Sequence, residues 1–103
     1  EEMWLQFAEG IGVSRQHLNR EKMLPQTRDT LAAFKGLCAK DYLAGAAALL
    51  SYEAQIADIA ELKMDGLRKF YKILNKKALR FFAVHSVVDV EHQKTWKNII
   101  SSA

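Results

Sequence analysis

The stretch ALRFFAVHSVVDVEHQKTW, residues 78–96, carries a helical period and no strand alternation. Ala78, Phe82, His85, Asp89, His92 and Trp96 follow one another in steps of three and four, so they share one face of a helix. Apolar residues at both ends direct that face toward a core, and three ionisable groups occupy its middle. Burying such groups without partners would cost on the order of several kcal/mol in total, because each loses its water without a replacement. A bound cation removes that cost. His85, Asp89 and His92 are therefore candidate metal ligands.

The preceding segment repeats the pattern. Ala46, Leu49, Glu53, Ile56 and Ala60 form a second apolar stripe with a carboxylate at its centre, and Lys63 lies at the far end of the same face. Asp41 suits the N-cap of one long helix carrying this stripe, and Gly66 is expected to end or bend it. A short amphipathic piece around Leu67 to Leu74 and an Asn75 N-cap then lead into the final helix. Antiparallel packing of the two long helices brings Glu53 opposite His85, Asp89 and His92. Two imidazoles and two carboxylates without a thiolate suit non-haem iron or manganese, with zinc also admitted. A lone histidine on an apolar face is ordinarily a hydrogen-bonded core residue, and His85 with Asp89 could be a simple intrahelical pair. Three such groups on one face, with Glu53 on a second, favour the cation. Glu61 and Glu91 fall on other faces.

Toward the N-terminus, Glu2 to Glu9 read as turns of a helix broken by Gly10-Ile11-Gly12, and Ser14 can cap a short turn. Pro25 fits the first turn of the next helix, whose apolar face is Leu31, Phe34 and Leu37 and whose end lies near Ala39-Lys40. The expected fold class is all-α, a helical bundle within one domain, since 103 residues leave no room for two cores. One proline, five glycines and 50% hydrophobic residues exclude a disordered chain. The single cysteine, Cys38, cannot form an internal disulfide and reads as a small buried residue, which points to a reducing, cytoplasmic setting. The weakly polar run Tyr42 to Leu50 is too short to span a membrane. A net charge of +3, its basic excess concentrated from Arg68 to Arg80, does not by itself assign a nucleic-acid partner.

Ser51-Tyr52-Glu53, then Lys63, then Phe81-Phe82-Ala83-Val84-His85 leading to Asp89 and His92, resembles the haem-oxygenase-like di-metal oxidases, most of all the chlamydial death-domain-associating type. The wider superfamily includes the pyrroloquinoline quinone synthesis oxidase and the thiaminase TenA. The segments Phe7 to Ser14 and Leu24-Pro25-Gln26-Thr27 extend the resemblance over nearly the whole chain. It implies the C-terminal part of a bundle of about seven helices. Residues 1–103 would be a single partial domain, with the N-terminal helices and the glutamate and histidine they supply absent. It implies two non-haem metal ions, iron or manganese, held by Glu53, His85, Asp89 and His92, with dioxygen as co-substrate. Tyr52 and Lys63 match positions implicated in the chemistry of a self-sacrificing p-aminobenzoate synthase, which converts one of its own tyrosines and has a lysine as candidate amine donor. A homo-oligomer, or the missing helices, would complete the site. A thiaminase would want a cysteine near Ser51-Tyr52, where none stands.

Two other function classes compete. Residues 7–20 resemble a helix-turn-helix, which would put Arg15, Gln16 and Asn19 at DNA base edges with Lys72, Lys76 and Arg80 on phosphates. That reading leaves the ionisable stripe of the last helix unexplained. A metal-free helical interaction module would instead need an exposed apolar groove.

Overall fold

The computed structural model describes residues 1–103, and it is all-helical, with six α-helices and no strand. These are α1 (Glu2–Gly10), α2 (Arg15–Arg20), α3 (Pro25–Lys40), α4 (Tyr42–Glu53), α5 (Ile56–Tyr71) and α6 (Lys76–Ser101). The expected caps are in place. The Ser14 hydroxyl accepts from the His17 amide, Asp41 accepts from Ala44, and Asn75 accepts from Lys77 and Ala78, so each satisfies helix-start N–H groups that have no intrahelical partner. Pro25 stands in the first turn of α3. None of the helices is long and apolar enough to cross a membrane.

α6 is the central element and packs against α1, α4 and α5, whereas α3 packs against α4 alone. The core between them is built mostly from small residues: Ala46, Ala48, Ala57, Ala60 and Ala78 are buried with Leu79 and Phe82. Such residues let helix backbones approach closely. Gly10 shows the same demand at the end of α1, since a Cβ there would fall 2.3 Å from the Ala78 Cβ. Gly12, two residues on, turns the chain with φ of +89°, a conformation that suits glycine. Gly10→Ala is therefore expected to destabilise the protein by about 1–3 kcal/mol, more than the roughly 1 kcal/mol that alanine returns in helix propensity. Urea unfolding measures this, and adding Ala78→Gly should recover part of the loss.

Arg15 ties α2 to α1. Its guanidinium donates to Glu2 at 2.6 and 2.9 Å and to Glu9 at 2.6 Å. The hydrogen bond from Arg15 holds the Glu2 carboxyl below the usual carboxylate range, and the two carboxylates raise Arg15 in return.

Three expectations about this frame are corrected. The single long helix from Asp41 is two helices, α4 and α5, parted at Ala54-Gln55. The break coincides with a contact from α6: the Gln93 side-chain amide donates to the Glu53 main-chain carbonyl at 3.0 Å, and a side chain inserted into the backbone ladder is a recognised companion of helix breaks. Gly66 neither ends nor bends a helix. It lies inside α5, which runs on to Tyr71 and closes with Lys72 in the left-handed region, φ 57°. The piece expected from Leu67 to Leu74 is thus the end of α5 and the turn after it. Cys38 is exposed, because α3 has no buried residue and meets the bundle on one side only; Leu31 and Leu37 on its apolar face are each 43% exposed. The radius of gyration, 15.9 Å, exceeds the roughly 13 Å usual for a compact domain of this length, in keeping with that outlying helix.

Candidate metal centre

The break after Glu53 places this residue at the last position of α4, facing the middle of α6. One ligand atom each from Glu53, Asp89 and His92 lies within 4.8 Å of the others. Asp89 is 4% exposed, buried by the packing of α6 against α4 and α5. Its Oδ1 lies 3.2 Å from the His92 Nδ1, and the Glu53 Oε2 lies 3.6 Å from the same nitrogen. The Glu53 side chain is 18% exposed, so it points into the protein and not to solvent. The indole Nε1–H of Trp96 donates to Glu53 Oε2 at 2.7 Å.

His85 stands one turn before Asp89 and outside this cluster of ligand atoms, though it lines the same cavity. Its Nδ1 is 2.6 Å from the Phe81 carbonyl oxygen, and its ring stacks on Phe81 at 4.2 Å. A carbonyl can only accept, so Nδ1 carries the proton and the Nε2 lone pair is left free, the arrangement that metal-binding histidines commonly have. The intrahelical pair that forms is His92 with Asp89, not His85 with Asp89.

The cavity beside these groups has a volume of about 560 Å³ and is lined by Glu53, His85, Asp89 and His92 together with Tyr52 and Lys63. Tyr52 is exposed and packs edge-to-face on Phe34 of α3, with ring centres 5.9 Å apart. Lys63 is exposed at the cavity rim on α5. His92 is also exposed, so the ionisable stripe is buried at Asp89, half-buried at His85 and open to solvent at His92. A metal bound among them would be reached from the cavity.

Two participants escaped the sequence reading. Trp96 reads as an ordinary core aromatic, yet it is the hydrogen-bond donor to Glu53, and Gln93 has no place on the stripe. The only signal available was the position of Trp96, one turn after His92. The helix-turn-helix alternative finds little support in the geometry. α2 has six residues, and Arg15, which would read a base edge, is engaged by Glu2 and Glu9. His17 is exposed and pairs with Glu21 at 3.0 Å.

A sequence model described as iron-containing redox enzyme matches residues 1–103. The chain belongs to the haem-oxygenase-like family of iron-containing redox enzymes. It is 38% identical over 96 residues to a 4-aminobenzoate synthase of Nitrosomonas europaea, a match covering 91% of this chain and 39% of that relative. It is 34% identical over 100 residues to a 4-aminobenzoate synthase of Chlamydia trachomatis, covering 96% of the chain and 43% of the relative. With that of Chlamydia pneumoniae it shares 30% over 102 residues, covering 98% and 45%. The chain thus spans less than half the length of these relatives. No solved structure matches it.

Proposed function

We propose that this chain carries one side of a non-haem iron centre in a dioxygen-dependent oxidase, of the 4-aminobenzoate-forming kind that its relatives' names indicate. The observation that carries the reading is Asp89, a carboxylate 4% exposed whose nearest ionic partners are another carboxylate and a half-exposed imidazole. Two acids so placed repel each other, and a cation between them reverses that cost. Oxygen and imidazole donors without a thiolate fit iron, and manganese fits the same set.

Glu53, Asp89 and His92 would hold the metal as a group, with His85 offering Nε2 from the cavity side. The Phe81 carbonyl holds the His85 ring in that tautomer. Iron, when bound, supplies one-electron chemistry with dioxygen. Tyr52 and Lys63 meet the same cavity from opposite sides of the α4–α5 break, so a phenol and a primary amine share the space next to the donors. This supports their roles as oxidisable group and amine donor in a self-sacrificing reaction. Four donors are few for two metals, since di-iron carboxylate bundles commonly use about six. Further helices or a second copy would supply the remainder, and the exposed apolar side of α3 is surface available to them.

Dioxygen uptake by the iron-loaded protein tests the proposal. The unsubstituted protein is expected to bind iron and consume dioxygen, and His85→Ala with Asp89→Ala should lose most of both. Equal metal content and uptake in the two proteins would sink the oxidase reading.

A further inference from the structure

Glu53 is held by α6 twice, once through its backbone and once through its carboxylate. As the last residue of α4 it has a main-chain carbonyl without an intrahelical acceptor role to fill, and the Gln93 Nε2 donates to it at 3.0 Å. The Trp96 Nε1–H donates to Oε2 at 2.7 Å. Gln93 and Trp96 are three residues apart on α6, each one helical turn beyond a member of the cluster: Gln93 follows Asp89 and Trp96 follows His92, both by four residues. The helix that presents Asp89 and His92 therefore also sets the position of the acid facing them.

We infer that Gln93 and Trp96 are positioning residues that fix Glu53 for metal binding. The inference rests on the proposed metal centre. The chemistry of the two donors suits the task. An indole N–H is a donor only, so Trp96 cannot itself ligate a metal or take a proton from Glu53. Being neutral, it leaves the carboxylate its full charge, whereas an arginine or lysine in its place would cancel that charge. It occupies one direction on Oε2 and leaves the other lone pairs of the carboxylate for a cation. Gln93 holds the backbone from which that carboxylate hangs, at the carbonyl that the α4–α5 break leaves free, so the break is part of the site's construction.

Partners of this kind, acting through a ligand, typically set metal affinity by about 10–100-fold. Trp96→Phe, which keeps an aromatic ring and removes the donor, is expected to weaken Mn(II) binding by about that factor in titration calorimetry. It should also change the visible absorption of the Co(II)-loaded protein, which reads coordination geometry and which a loss of packing alone would not move. Gln93→Leu should shift both in the same direction. It decides the matter if Trp96→Phe loses its helical circular dichroism. Unchanged affinity and spectrum in the folded variants, alongside loss of binding in Asp89→Asn, would overturn the positioning role and leave the metal centre standing. Failure of the unsubstituted protein to bind Mn(II) or Co(II) would overturn both.

Discussion

Asp89→Asn is expected to abolish the thermal stabilisation that iron(II) or manganese(II) gives the protein while leaving the metal-free protein as stable as before, or more so. A metal at about 100 times its dissociation constant adds roughly 2.7 kcal/mol to the folded state. For a chain of this length that raises Tm by about 10–20 °C. Asp89 is the most buried of the donors. Asparagine keeps the shape of the side chain. It removes the negative charge that Glu53 faces, and its amide can donate to Glu53 Oε2. In the metal-free protein the substitution therefore relieves repulsion. With metal present it removes a charged ligand, an effect larger than loss of a partner behind one. Opposite signs in the two states are the mark of a residue kept for function at a cost in stability. Thermal unfolding with and without metal reads both. A metal-free Asp89→Asn protein that melts well below the parent, with no metal shift in either, would mean that Asp89 is a structural acid.

The final helix was legible in detail because its information is local. A period of 3.6 places Ala78 to Trp96 on one face from the sequence alone, and the same face emerges buried at Ala78, Phe82 and Asp89. Ser14, Asp41 and Asn75 were legible as caps for a similar reason, since a side chain that accepts from an amide two or three residues on needs no other part of the fold. The break at Ala54-Gln55 was not, because it has no glycine or proline and its visible partner is Gln93, some forty residues later in the chain. Gly66 misled in the opposite direction. A lone glycine weakens a helix by about 1 kcal/mol, which by itself did not end this one. Cys38 and the exposed face of α3 show that residue type reports a preference for burial, while actual burial needs a neighbouring surface.

The candidate site was legible as a set of residues and less so as a geometry. Spacing groups His85 with Asp89 and His92, but the hydrogen bond from His85 to Phe81 and the exposure of His92 depend on how α4 and α5 pack over α6. The break that was missed also changes the placement of Tyr52 and Lys63. On one continuous helix Lys63 would simply extend the Glu53 stripe. On two, Tyr52 and Lys63 reach one cavity from separate elements, and both remain accessible at its rim. Both stand open to the cavity, whereas the acid that would hold a metal is the one withdrawn from water.

Phe82→Ala is expected to produce the largest loss of stability, about 3–5 kcal/mol, because Phe82 is the largest buried side chain of the core. Phe82 is 5% exposed and packs edge-on to Phe7 at 5.0 Å, to Phe81 at 5.3 Å and to Trp4 at 6.2 Å. The neighbouring core is mainly alanine, and alanine has no rotamers with which to fill the space. Collapse into the cavity would have to come from Trp4 and Phe7, and so from movement of α1 relative to α6. Against a total stability of about 5–15 kcal/mol the loss is a large share. Urea unfolding should show the midpoint falling with little change in slope. Phe70→Ala serves as the contrast, since Phe70 is 72% exposed and its removal should change stability by no more than about 0.5 kcal/mol. The substitution also bears on the candidate metal site, because Phe82 shares the α6 face with His85 and lines the same cavity. A loss below about 1 kcal/mol would be too small for cavity creation in a packed core, and it would mean that α1 does not rest on α6, leaving the cavity without its Trp4 wall.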